Sequence, residues 1–214
     1  MSVRVFLSAA VAVLLSACGS SSTPQISTVG LKPPLNLCTA DPRQVADAVK
    51  INDIDGPSAC GVANAWSVRA VASVRMSQPA TVNCGVIGPL DSWLSNSVQP
   101  AAQAAFGEAV AGVDVAASYA CRARNNARRG KMSEHGYGNA IDLSGFTLAS
   151  GRRITVKGGW SGSSDERRFL RAIRARACAD FTTVLGPGSD RHHHDHLHLD
   201  LGQHGRSGAG RYCR

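Results

Sequence analysis

The amino-acid sequence predicts an α+β fold, a single domain in which helices flank a central antiparallel sheet. Three observations lead there. Short segments of alternating hydrophobicity are mixed with helix-period segments, without a βαβ rhythm. The 214-residue chain has the length for one core and shows no internal repeat. Turn residues separate the periodic segments at short intervals.

The elements follow in order. Arg4 precedes an apolar run, Val5 to Leu15, too short to span a bilayer, so residues 1–17 read as an export signal. Residues 18–37 are rich in Ser, Thr, Gly and Pro and read as a flexible tether, and 38–214 as the folded domain. Within it, Ala63 to Val74 suggests a strand pair. Leu90, Trp93, Leu94 and Val98 recur at helical spacing, with Pro89 expected in the first turn. Pro100 should interrupt that helix, and Ala101 to Val110 should resume it. Val113, Val115, Ala117, Tyr119 and Cys121 alternate as a strand does. Ile141 to Leu143 and Ile154 to Val156 read as strands. Ser163 with Glu166 forms a capping-box signature before a helix whose Phe169, Ile173 and Ala177 share a face. Its arginines (Arg167, Arg168, Arg171, Arg174 and Arg176) fall mostly elsewhere and read as a solvated face, or else as a face beside an anionic polymer. Thr182 to Leu185 and Leu197 to Leu201 complete the sheet.

Charge and cysteines narrow the setting. The formal net charge is +8, which suits anionic partners. Nucleic acid is not among those expected, because the chain carries an export signal, few aromatics and no recognition motif. Small residues before Cys18 resemble the lipobox of bacterial lipoproteins. Cys18 would then be the lipidated first residue, and the membrane a partner through that lipid. Gly19 after it points to the outer membrane, facing the periplasm. Cys38, Cys60, Cys84, Cys121, Cys178 and Cys213 form an even, widely spaced set that reads as three disulfides. None has thiolate-zinc spacing, and spacing alone leaves their connectivity open, as it leaves the oligomeric state.

Two segments carry chemistry. Ser133-Glu134-His135-Gly136-Tyr137-Gly138-Asn139-Ala140-Ile141-Asp142 is answered some way downstream by His196-Leu197-His198. On a strand, His196 and His198 project to one side, and Asp200 continues the row, where it can orient an imidazole through its second nitrogen. Gly136 and Gly138 bracket a tight turn that brings His135 and Asp142 to one point. Two imidazoles and a carboxylate suit zinc, with the fourth position left to water. The run His192-His193-His194 reads as a polar loop or a secondary metal-binding patch, His204 as a surface residue, and Glu134 as an exposed residue or one placed behind the ligands.

This pattern resembles the zinc peptidase superfamily of D-Ala-D-Ala dipeptidases and carboxypeptidases, murein endopeptidases and the hedgehog N-terminal domain. Within it, the match is nearest to proteins with an extensin-like C-terminal domain. Ser118-Tyr119-Ala120-Cys121-Arg122, Cys178-Ala179-Asp180-Phe181 and His194 to Asp200 support it. The resemblance implies a hedgehog/D-Ala-D-Ala peptidase-like fold over about residues 38–214. It implies His135, Asp142 and His198 as Zn2+ ligands, His196 as general base, and Arg122 facing the developing oxyanion. The implied function is hydrolysis of peptidoglycan stem peptides. The alternative is an envelope lipoprotein that binds peptidoglycan through the same cleft without catalysis.

Overall fold

The structure, a computed structural model, describes residues 41–128, 130–205 and 207–214. The export signal, Cys18 and the tether, with Cys38, lie outside the described residues. The chain opens with β1 (Ala46–Lys50) and the two-stranded β2 (Ile54–Asp55) and β3 (Gly61–Val62), then pairs β4 (Ala65–Val71) with β5 (Val74–Asn83). Helix α1 (Cys84–Trp93), a π turn (Leu94–Val98) and α2 (Gln99–Phe106) lead to β6 (Val110–Ala117). There follow β7 (Ala140–Leu148), β8 (Arg153–Thr155), α3 (Val156–Gly159) and α4 (Ser164–Ala177). The chain closes with β9 (Thr183–Leu185), β10 (Leu197–Asp200) and β11 (Tyr212–Cys213).

The main sheet has nine strands in the order β1-β4-β5-β6-β7-β10-β9-β11, with β8 beside β7. It is mixed rather than antiparallel, and it dominates the domain. The expected antiparallel sheet flanked by helices is therefore corrected to a largely β architecture with few, short helices. Two pairs overturn the expectation. The first is β5 with β6, parallel through Arg75↔Gly112 and Met76↔Val113. Asn83 ends β5 and caps α1, its Oδ1 accepting from the Gly85 N–H at 2.9 Å. The helical stretch 84–106 then carries the chain across the sheet, and such a crossover returns the next strand parallel. The second is the two-residue β11, parallel to β9 and tied at its end by the Cys178–Cys213 disulfide.

Several local expectations shift for physical reasons. Pro89 lies inside α1, not in its first turn, because Asn83 starts the helix earlier. The interruption foreseen at Pro100 is a π turn over Leu94–Val98, which loosens the ladder just ahead of the residue that lacks an N–H. Helix α2 stops at Phe106, where Gly107 takes φ 71°, so Val110 belongs to a strand. The Ser163 capping box is present, and Phe169, Ile173 and Ala177 are buried on one face of α4 as expected.

The core lies between one face of the sheet and the helices. Trp93 sits edge-on to Phe146 at 6.3 Å and to Phe181 at 6.5 Å. Its Nε1 donates to the Ile173 carbonyl at 2.9 Å, so the one polar atom of the ring is satisfied. Alternation places the other half of the molecule: Ile141, Leu143, Leu197 and Leu199 are fully buried in this core. Asp142, His198 and Asp200 must therefore point to the opposite face.

Candidate metal centre

Three neighbouring elements bring the donors together. His135 stands in a 3-10 turn, Glu134–Tyr137, closed by Gly138 with φ 59°. A Cβ at Gly138 would lie 2.6 Å from Val62 Cγ1, so this position requires glycine for both its backbone and its space. The turn is pinned to the segment after β6 by Ala120 N–H to His135 O at 3.2 Å and Ser133 N–H to Arg122 O at 3.1 Å. Asp142 lies on β7, directly opposite His198 on β10.

The three donor atoms all lie within 4.8 Å of one another. His135 Nε2 is 3.2 Å from His198 Nδ1 and 3.0 Å from Asp142 Oδ2, and His198 Nδ1 is 2.8 Å from Asp142 Oδ1. Donors bound about 2.0–2.1 Å from a tetrahedral ion stand roughly 3.3 Å apart, so the triangle is close to the size an ion needs. Tautomers are fixed from behind. His135 Nδ1 lies 2.6 Å from the Ser118 carbonyl, which can only accept, leaving Nε2 as a lone pair. His198 Nε2 donates to Asp200 Oδ2 at 2.8 Å, and Asp200 Oδ1 accepts the Gly202 N–H at 2.8 Å. Asp200 is thus the orienting carboxylate foreseen from its place in the row.

Two lone pairs and a carboxylate converge here, all buried, and they need a cation between them. In the metal-free protein a proton takes that role. Burial opposes the charged imidazole, yet the hydrogen bonds to Asp142 and Asp200 push His198 up to about 9. Burial likewise opposes the Asp142 carboxylate, but His135 and His198 hold it well below the usual range. A divalent metal ion would displace the proton from this position.

The remaining sequence-predicted residues surround the cluster. His196 Nε2 is 3.7 Å from Asp142 Oδ2, and its Nδ1 is 2.9 Å from Asp195 Oδ1. Arg122 Nη2 is 3.9 Å from Asp142 Oδ2. Arg122 follows Cys121, whose disulfide to Cys60 fastens the segment to the start of β3. A cleft of about 210 Å³ opens over His135 and His198, with Arg122, Arg124, Glu134 and His193 in its wall. His196 stands beside that wall rather than in it.

The sequence profile of the extensin-like protein C-terminus matches residues 36–214. The chain belongs to this family. No curated protein and no solved structure matches it.

The extensin-like domain also uses residues that sequence reasoning passed over. Of the run His192 to His194, only His193 turns inward. It is 8% exposed, its Nδ1 lies 2.8 Å from Asp190 Oδ1, and its ring sits 5.3 Å from that of His196 and 5.5 Å from that of His198. Its spacing, His193-x-x-His196-x-His198, was the available signal. His204 is not merely a surface residue, since its Nε2 is 2.7 Å from Thr183 Oγ1 beside Asp200. Glu134 is not exposed: it accepts from Asn139 Nδ2 at 2.8 Å and pairs with Arg124 at 3.4 Å.

Proposed function

We propose that this domain is a zinc-dependent hydrolase of peptidoglycan stem peptides, of the D,D-carboxypeptidase or endopeptidase type, anchored in the cell envelope through lipidated Cys18. Membership of the zinc peptidase superfamily is part of the proposal. The observation that carries it is the buried His135–Asp142–His198 triangle, open on one side toward a cleft walled by Arg122. Two imidazoles and a carboxylate are the donor types zinc takes, and three protein ligands leave one position for chemistry. Held by His135, Asp142 and His198, zinc would supply a Lewis acid and would lower the pKa of a water to about 7.

The chain's own residues supply the rest. His196, steadied by Asp195, takes a proton at Nε2 from the attacking water and returns it to the leaving amine. Arg122 lies within reach of the negative charge that develops on the scissile carbonyl oxygen. The excess of basic residues, net +8 over the sequence, favours carboxylate-rich stem peptides. His198→Ala and Asp142→Ala should lose both metal and activity, whereas His196→Ala should keep metal and lose turnover.

A second reading takes support from the 3.7 Å approach of His196 to Asp142. With His196 as a fourth ligand the site would be closed, and the domain would bind peptidoglycan without cutting it. Incubation of the purified protein with isolated sacculi, followed by mass spectrometry of the muropeptides, separates the two. A chelator-sensitive loss of D-Ala or opening of cross-links is expected. An unchanged profile at one zinc per chain, with metal lost in His196→Ala, would favour the closed site.

A further inference from the structure

The face opposite the metal donors carries a second cluster. On β9, Thr183 and Leu185 line the cleft, while Val184 between them lines a different cavity of about 260 Å³. Alternate residues of a strand face opposite sides, so the two cavities lie on opposite faces of the sheet. Trp160 forms one wall, and Arg171, Arg174 and Arg214 surround it. The Arg171 and Arg174 guanidiniums stand 5.9 and 5.5 Å from the indole centroid, and that of Arg214 lies 4.9 Å from the Tyr212 ring. Arg174 also donates to Ser189 Oγ at 3.0 Å, and Ser189 Oγ donates to the main-chain oxygen of Arg214.

These arginines lack what their neighbours have. Arg152 pairs with Glu166, Arg153 with Asp114 and Arg168 with Asp165. Among the described residues no Asp or Glu lines the Trp160 cavity, and none lies within ion-pair distance of Arg171, Arg174 or Arg214. Burial without an acidic partner pulls the pKa of Arg174 down. Stacking on aromatic rings holds the guanidiniums in place with their N–H groups free to donate.

We propose that Arg171, Arg174 and Arg214, gathered around Trp160, form a binding site for a phosphate ester. A phosphoryl group offers several acceptor oxygens and up to two negative charges, which guanidinium forks meet in bidentate fashion. The site is separate from the metal centre and stands whether or not the hydrolase reading does. A soluble phosphate ester and an anionic lipid headgroup present this same chemistry.

The test uses the full chain in chelator at constant ionic strength, reading tryptophan fluorescence. Trp66 and Trp93 are buried, so a response lost in Trp160→Phe belongs to Trp160. Glycerol 3-phosphate and vesicles of phosphatidylglycerol or phosphatidylcholine are titrated separately. A saturable response is expected, weakened at least tenfold in Arg171→Gln/Arg174→Gln. Saturation by glycerol 3-phosphate identifies a soluble ester as sufficient, and saturation by phosphatidylglycerol vesicles alone identifies a headgroup. Arg171→Gln/Arg214→Gln, two exposed changes, guards against a folding defect in the first variant. No response to either probe, or a response in both double variants equal to that of the unaltered protein, overturns the proposal.

Discussion

His198 is held from both sides, by Asp142 at Nδ1 and by Asp200 at Nε2, and its behaviour should report both. In the metal-free protein burial opposes its charge, yet the hydrogen bonds to Asp142 and Asp200 raise its pKa to about 9 from the usual 6.5. The stability this contributes is fully present below about pH 6.5 and is lost as pH rises through about 9. The unfolding free energy of the metal-free protein, read from urea denaturation, should therefore fall between pH 6.5 and 9.5 by an amount on the order of 3 kcal/mol. Zinc should reverse the trend, because the metal competes with that proton. A flat profile for the stripped protein would show that His198 is neutral when folded. Asp200→Asn tests the other side: it can accept at the same place but no longer favours the donating Nε2–H as strongly. Zinc affinity should drop roughly 10–100-fold while the fold is kept, as competition with a metallochromic chelator would reveal. His193 acts at the same scale, and His193→Ala should lower turnover with metal content unchanged.

At the scale of elements, the turn carrying His135 and the helix α4 make contrasting predictions. Gly138→Ala places a Cβ against Val62 in a left-handed residue. It should cost more than about 1 kcal/mol of stability and weaken metal binding too, because the turn that aims His135 must shift. Ser163→Ala removes the cap from α4, far along the chain from the donors. That variant should lose about 1 kcal/mol in urea denaturation and bind zinc normally. Legibility in the sequence divides along the same line. The α4 cap, its buried face and the two donor segments were readable because each rests on short-range spacing. The strands β1, β2, β3 and β11 were not, since they are short or half-exposed and carry little alternation. Pro89 misled because a preceding Asn83 cap outranked it in setting the helix start.

For the whole molecule, what escaped the sequence was long-range pairing. Nothing local in Arg75 or Val113 announces a parallel partner, and the crossover reads only as a helix broken at Pro100. The inward turn of His193 likewise depends on Asp190 and on the packed rings of two other histidines. Disulfides extend this long-range order. Cys60–Cys121 closes 61 residues, and Cys84 is also disulfide-bonded. Replacing Cys60 and Cys121 by serine should cost up to about 4 kcal/mol on the chain-entropy account. It should also free the segment bearing Arg122, so that turnover falls further than zinc content. Parallel metal analysis and muropeptide assays on the refolded variant would check this.

If the proposed ion binds, the pairing of His198 with Asp142 across β10 and β7 also sets a timetable for maturation. His135 and Asp142 lie close in sequence, but the third donor arrives 56 residues after Asp142. On the metal-centre proposal, the nascent chain would offer an ion only a two-toothed grip until β10 docks, so tight capture would wait for one of the last strands to be added. Retention of metal against a weak chelator would then serve as a clock for completion of the sheet, and a chain truncated before residue 196 should never start it.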